Sequence, residues 1–224
     1  MTRQMSESIV VGLLLSLSGG LMDAYSYLFR GEVFANAQTG NILLFSVYLS
    51  RGQWLAALHY LLPVLAFSLG IGFAAVTRHL CRERRLHWRQ LCLLLEILIL
   101  GLAAPLPQSA NLLANSLISL ACGAQVESFR KVDGSTAATT MCIGNLRQTL
   151  HSLIEVGFTG SRSALHAARV NLTVILAFAL GAILGGILLP HLGMYTLWTI
   201  VGLLAVAAAL MLIRPQPPEK GGRP

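Results

Sequence analysis

Charge is scarce in this chain. Of 224 residues, 16 are Lys or Arg and 9 are Asp or Glu, so charged residues make up 11% of the sequence and apolar ones 55%. With a mean hydropathy of +0.68, that balance excludes an ordinary water-soluble globular domain. Cysteine is also scarce. Cys81, Cys92, Cys122 and Cys142 show no CxxC spacing, which argues against a metal site or a disulfide framework and for buried thiols. The signatures of soluble catalysis are missing: there is no P-loop, no GxGxxG after a strand, no HExxH and no GxSxG. The expectation is therefore not an enzyme, with no cofactor and no metal.

What the chain has instead is long apolar runs, at 9–29, 33–49, 54–77, 91–107, 109–129, 135–146, 170–189 and 193–213. Several reach the roughly 20 residues that cross ~30 Å of hydrocarbon as a helix, and lipid leaves the backbone no alternative to helices. The expected fold is an all-α polytopic membrane helix bundle, one integral domain over 1–224, with the lipid bilayer as its main partner. The first run, with Arg3 ahead of it and Ser18-Gly19-Gly20 inside it, has the look of a secretory leader. Cleavage would remove half of a duplicated motif, so the run is read as a retained helix.

That motif appears twice. Gly19, Asp23 and Gly40-Asn41 are repeated 104 residues later as Gly123, Glu127 and Gly144-Asn145, the only two Gly-Asn dipeptides in the chain. Phe67-Ser68-Leu69-Gly70 and Phe178-Ala179-Leu180-Gly181 match at a shift of 111, which implies seven inserted residues in the second copy. The repeats are expected at about 9–107 and 109–213.

Positive charge chooses between two topologies. If all eight runs cross, giving parallel repeats, Lys and Arg divide almost evenly between the two sides. If the Gly-Asn segments re-enter or break instead, six helices cross, both termini lie inside, and of the 16 positive residues only Arg30 and Arg51 are outside. The second version obeys the positive-inside rule, and three crossings per copy make the repeats inverted. The cluster Arg78, Arg82, Arg84, Arg85 and Arg89 then marks the cytoplasmic side and touches lipid headgroups rather than nucleic acid. Arg147, Gln148, His151 and Glu155 make the segment 135–157 a poor lipid-facing span. Inverted repeats with interrupted helices commonly build a transport site near the bilayer midplane.

The expected substrate or ion pathway is Asp23, Gln38, Thr39, Gly40, Asn41, Glu127, Thr140, Gly144 and Asn145. Thr39 or Asn41 suits the cap of a helix starting there, and helix starts expose N–H groups to a solute. Asp23 and Glu127 lie deep in apolar sequence, where a carboxylate must be protonated, paired or hydrated. They read as proton or cation sites, or as structural acids paired with Arg30 and Arg130. On the alternative reading the glycines only permit close helix contact and the asparagines only fix packing. Asn111, Asn115 and Asn171 read as interhelical bonds, and Gly181 with Gly185 as a small-residue face open to a homodimer.

Gly19-Gly20-Leu21-Met22-Asp23-Ala24 followed by Phe34-Ala35-Asn36-Ala37-Gln38-Thr39-Gly40-Asn41 resembles the YoaK-like family of uncharacterised bacterial inner-membrane proteins. Gly123-Ala124-Gln125, Thr139-Thr140 and Gly144-Asn145-Leu146 continue the resemblance, which departs from the family pattern at Glu127 and Ile143. It implies a multi-pass protein of the bacterial inner (cytoplasmic) membrane and no substrate. From the residues themselves the expected function is a carrier or channel for a small polar solute or ion, with a site between the repeats. The alternative is a structural or partner-binding membrane protein.

Overall fold

Apolar sequence with few polar side chains must satisfy its backbone internally, and this chain does so almost wholly with helices. The structure, a computed structural model, describes residues 5–81 and 87–213. Arg3, Arg82, Arg84, Arg85, Arg214, Lys220 and Arg223, on which part of the charge argument rests, lie outside the described residues.

The helices are α1 (Ile9–Phe29), α2 (Gln38–Ser50), α3 (Trp54–Leu80), α4 (Trp88–Ala103), α5 (Asn111–Ser128), α6 (Cys142–Thr159), α7 (Arg162–Leu192) and α8 (Thr196–Ile213). Local chemistry sets several boundaries. The Ser8 hydroxyl accepts from Val11 N–H, His87 and Gln90 form a reciprocal cap at α4, and Ser161 caps α7. Between α5 and α6 lies an antiparallel hairpin, β1 (Lys131–Val132) and β2 (Ser135–Thr136). Its turn residues Asp133 and Gly134 both have positive φ, 49° and 80°, as a two-residue hairpin turn requires.

Helix α1 packs along α7, and α3 along α5; α2 lies on α3 and α6 on α7; α8 lies on α1, α4 on α5, and α4 meets α8. Exchanging each helix with the one four places away leaves that set of pairs unchanged. The two long crossings are backbone on backbone. A Cβ at Gly20 would overlap the Phe178 carbonyl and one at Gly181 the Leu17 carbonyl, while Gly123 sits over Phe67 and Gly70 over Leu120 in the same way. Gly181 and Gly185 are thus used inside the chain, against α1, and a dimer would need a different face.

The principal core joins α1, α4, α5 and α8 through Leu15, Met22, Leu93, Leu100, Ile118, Ile200 and Leu204. The outer surface is apolar as well, with Leu55 86% and Ile143 80% exposed, the inverse of a water-facing surface. Three helical stretches are long and apolar enough to cross a membrane: Ile9–Phe29, Trp54–Leu80 and Arg162–Leu212. The last contains α7 and α8, joined by a 3-10 turn at Gly193–Tyr195.

Polar contacts gather the helix ends into two groups. In one, Arg89 pairs with Glu7 at 3.2 Å and donates to the Ser128 carbonyl, and Asp133 N–H donates to the Glu7 carbonyl. His166 meets the Asp133 carboxylate at 3.1 Å, and Gln90 donates to the Met211 carbonyl. In the other, the buried Arg30 donates to the carbonyls of Leu106 and Pro107, to Asn111 and to the Tyr25 hydroxyl. Asn115 donates to the Arg30 carbonyl there, and His59 lies 3.0 Å from the Gly31 carbonyl.

Candidate functional site

Helices α2 and α6 start beside the long crossings. Ahead of α2 the chain runs from Phe34 to Ala37, and Asn36 Nδ2 donates to the Gly19 carbonyl at 3.2 Å. Ahead of α6, Thr140 presses its methyl group against Gly19 so closely that a Cβ there would clash. Both starts open on one cavity of about 430 Å³. Asp23 and Val126 border it from α1 and α5, Phe67 and Ile71 from α3, Phe178 from α7, and residues 36–39 and 140–144 complete it.

Asp23 is buried, and its carboxylate accepts the Asn36 N–H at 2.6 Å. That N–H belongs to the turn leading into α2, so the positive start of the helix helps to hold the charge. No pair forms between Asp23 and Arg30, because the guanidinium is taken up by carbonyls, Asn111 and Tyr25 at the far end of α1.

Each Gly-Asn asparagine clips the loop before its helix. Asn41 Oδ1 accepts Phe34 N–H at 3.0 Å and Nδ2 donates to the Phe34 carbonyl at 2.7 Å. Asn145 does the same to Ala138, at 3.1 Å and 2.7 Å. The expected cap by Thr39 or Asn41 is not what forms: α2 begins at Gln38 with Ala37 in the cap position and no side-chain bond. A cap would satisfy one N–H, whereas reaching back seven residues bonds both backbone polar groups of one residue. Asn171, expected between helices, bonds the Ala167 carbonyl of its own helix.

Of the residues marked out by the sequence, Asp23, Gln38, Thr39, Thr140 and Gly144 meet at the cavity. Gly40 packs under the Phe34 ring, and Asn41 and Asn145 sit behind the wall as clips. Glu127 is not brought there; it pairs with Arg130 at 3.5 Å. The helix contacts explain why. The matching glycines over Phe178 and Phe67 are Gly20 and Gly123, an offset of 103, so the position matching Asp23 is Val126.

Sequence reading missed Asn36, Ile71, Val126, Met141, Cys142 and Ile143 as wall residues. Phe67 and Phe178 carried a visible signal, since both stood in the matched Phe-x-Leu-Gly strings. Among the described residues no group of three or more His, Cys, Asp or Glu side chains is placed to hold a metal ion.

A bundle built almost wholly of helices, with an apolar exterior and polar groups gathered at a half-open cavity, is the build of a membrane-associated protein. A family model described as "Protein of unknown function (DUF1275)" matches residues 11–210, and the chain belongs to that family. Neither a curated protein nor a solved structure matches it. The narrower YoaK-like label stays a resemblance.

Proposed function

We propose that the chain is a carrier or channel for a small solute or ion, with its site in the cavity at Asp23. The proposed architecture is six crossing helices and two re-entrant segments, arranged as two inverted repeats. Three features support it. The starts of α1, α4 and α7 share one group of end contacts with the ends of α5 and α8. The end of α1 shares the other with the starts of α3 and α5. The exchange of packing partners between helices four places apart fits a two-fold relation. Both termini would then lie on the side of Arg89, Arg130 and Lys131, the cytoplasmic side by the positive-inside rule.

The observation that carries the functional reading is Asp23: a buried carboxylate bordering a cavity on which two helix starts converge. Its bond to Asn36 N–H serves the fold, and its place on the cavity wall is what supports a role toward a solute. At Asn41 and Asn145 the geometry favours the structural role, because their amides are spent on the loops. Purified protein in liposomes is expected to show solute flux that Asp23→Asn abolishes. Flux unchanged in a folded Asp23→Asn variant would remove the site from the cavity.

A further inference from the structure

We infer that the cavity takes a small organic cation, a molecule carrying an ammonium group on a compact apolar body. The inference rests on the carrier reading of the same cavity and adds its substrate class. Among the described residues Asp23 is the one formally charged side chain on the wall, and none of their Lys, Arg or His side chains borders the space. Phe67 and Phe178 border it from α3 and α7, with Ile71, Val126, Met141 and Ile143 giving further apolar surface. A volume of about 430 Å³ is in the range of small-molecule sites.

The competing classes fit less well. A divalent metal wants about six oxygen ligands, and the described residues hold no cluster of three acidic or imidazole ligands. An inorganic or organic anion would be drawn to the helix starts, each worth about half a positive charge. At α2 that attraction is already answered by Asp23 through Asn36 N–H, and a full carboxylate outweighs the half charge left at α6. An ammonium ion gains the carboxylate directly, and aromatic faces attract cations of this kind when water is excluded. Its hydrocarbon part is accommodated by the aliphatic wall.

The full chain in detergent would be titrated with n-butylammonium, tetramethylammonium, n-butanol and butyrate by calorimetry, and the same probes followed for flux in liposomes. The two ammonium ions are expected to bind, and the alcohol and the carboxylate are not. Asp23→Asn, which keeps an acceptor for Asn36 N–H, should weaken ammonium binding about a hundredfold. Phe67→Leu and Phe178→Leu should each weaken it about five- to tenfold.

Equal binding of butyrate or n-butanol, or ammonium binding unaffected by Asp23→Asn, overturns the inference. Should Asp23→Asn fail to fold, the ligand series on the unaltered chain and the two phenylalanine variants still decide. Asp23-dependent ammonium binding without flux keeps the substrate class and defeats the carrier reading. Asp23-dependent flux of butyrate or n-butanol with no ammonium bound does the reverse.

Discussion

Removing the amide of Asn41 or Asn145 tests whether the repeated asparagines are loop clips or helix glue. In Asn41→Ala the Phe34 N–H loses its partner at 3.0 Å and the Phe34 carbonyl its 2.7 Å bond, keeping only Gln38 Nε2 at 3.5 Å. In Asn145→Ala the Ala138 N–H loses a bond of 3.1 Å and the Ala138 carbonyl one of 2.7 Å, keeping only Met141 N–H at 3.4 Å. Side-chain bonds between membrane helices average only about 0.6 kcal/mol, because partners are found in the unfolded state too. A buried backbone group left without a partner costs about 1–3 kcal/mol. With one N–H stranded per variant, and the shorter of two carbonyl bonds lost at about 0.5–1.5 kcal/mol more, each asparagine should be worth about 2–4 kcal/mol, several times the helix-glue value. Asn171→Ala is the internal control, since its amide bonds only within α7, and a loss under about 1 kcal/mol is expected. The assay is reversible unfolding in mixed micelles with increasing SDS, comparing the three variants with the unaltered chain. Losses at Asn41 and Asn145 no larger than at Asn171 would refute the clip.

The long crossings predict opposite outcomes for two glycines. Gly123→Ala must separate α5 from the Phe67 carbonyl and should cost about 1–3 kcal/mol. Gly72→Ala on α3 meets nothing within 4 Å and should stabilise by about 0.5–1 kcal/mol; melting temperatures moving together would contradict the packing. Arg30→Met gives up the bonds to Leu106, Pro107, Asn111 and Tyr25 and should lose about 3 kcal/mol in the same unfolding assay. Arg30→Lys should recover only part of it, as an ammonium cannot reproduce the planar fork, and full recovery would count against that account. For topology, a cysteine-free chain carrying Gln53→Cys should react with an impermeant maleimide on intact cells, and one carrying Ser163→Cys only after lysis. Labelling of Ser163→Cys on intact cells would return the eight-crossing arrangement.

Much of the fold could be read in advance because apolar runs and helices coincide. The run 9–29 is α1, and Trp54 opens both the run and α3. The run 33–49 misled at its start, since 33–37 is loop tied down by Asn41, and apolar character alone does not distinguish a buried loop from a helix. The hairpin went unread although Asp133-Gly134 was present, because its strands are two residues each and too short to show alternation. The inserted length was visible as a change of shift from 104 to 111, and α6 carries most of it, with 18 residues against 13 in α2.

The site was half legible. Asp23, Gln38, Thr39, Thr140 and Gly144 stood out as polar or glycine residues in apolar surroundings, and they do meet. Glu127 stood out for the same reason, but a glycine followed four residues later by an acid fixes helical register only to within one position. The backbone carbonyl under Gly123 fixes it absolutely, and that contact exists only in three dimensions.

The pairing of Asp23 with Val126 has a further meaning for how such a molecule would work. A machine whose halves trade places would pass through two forms of equal energy if those halves were chemically alike. Here one half contributes an acid and the other a hydrocarbon at the corresponding spot, so in a carrier of that kind the two forms would be inequivalent. One would be preferred at rest, and the preference would be set by what sits on that acid.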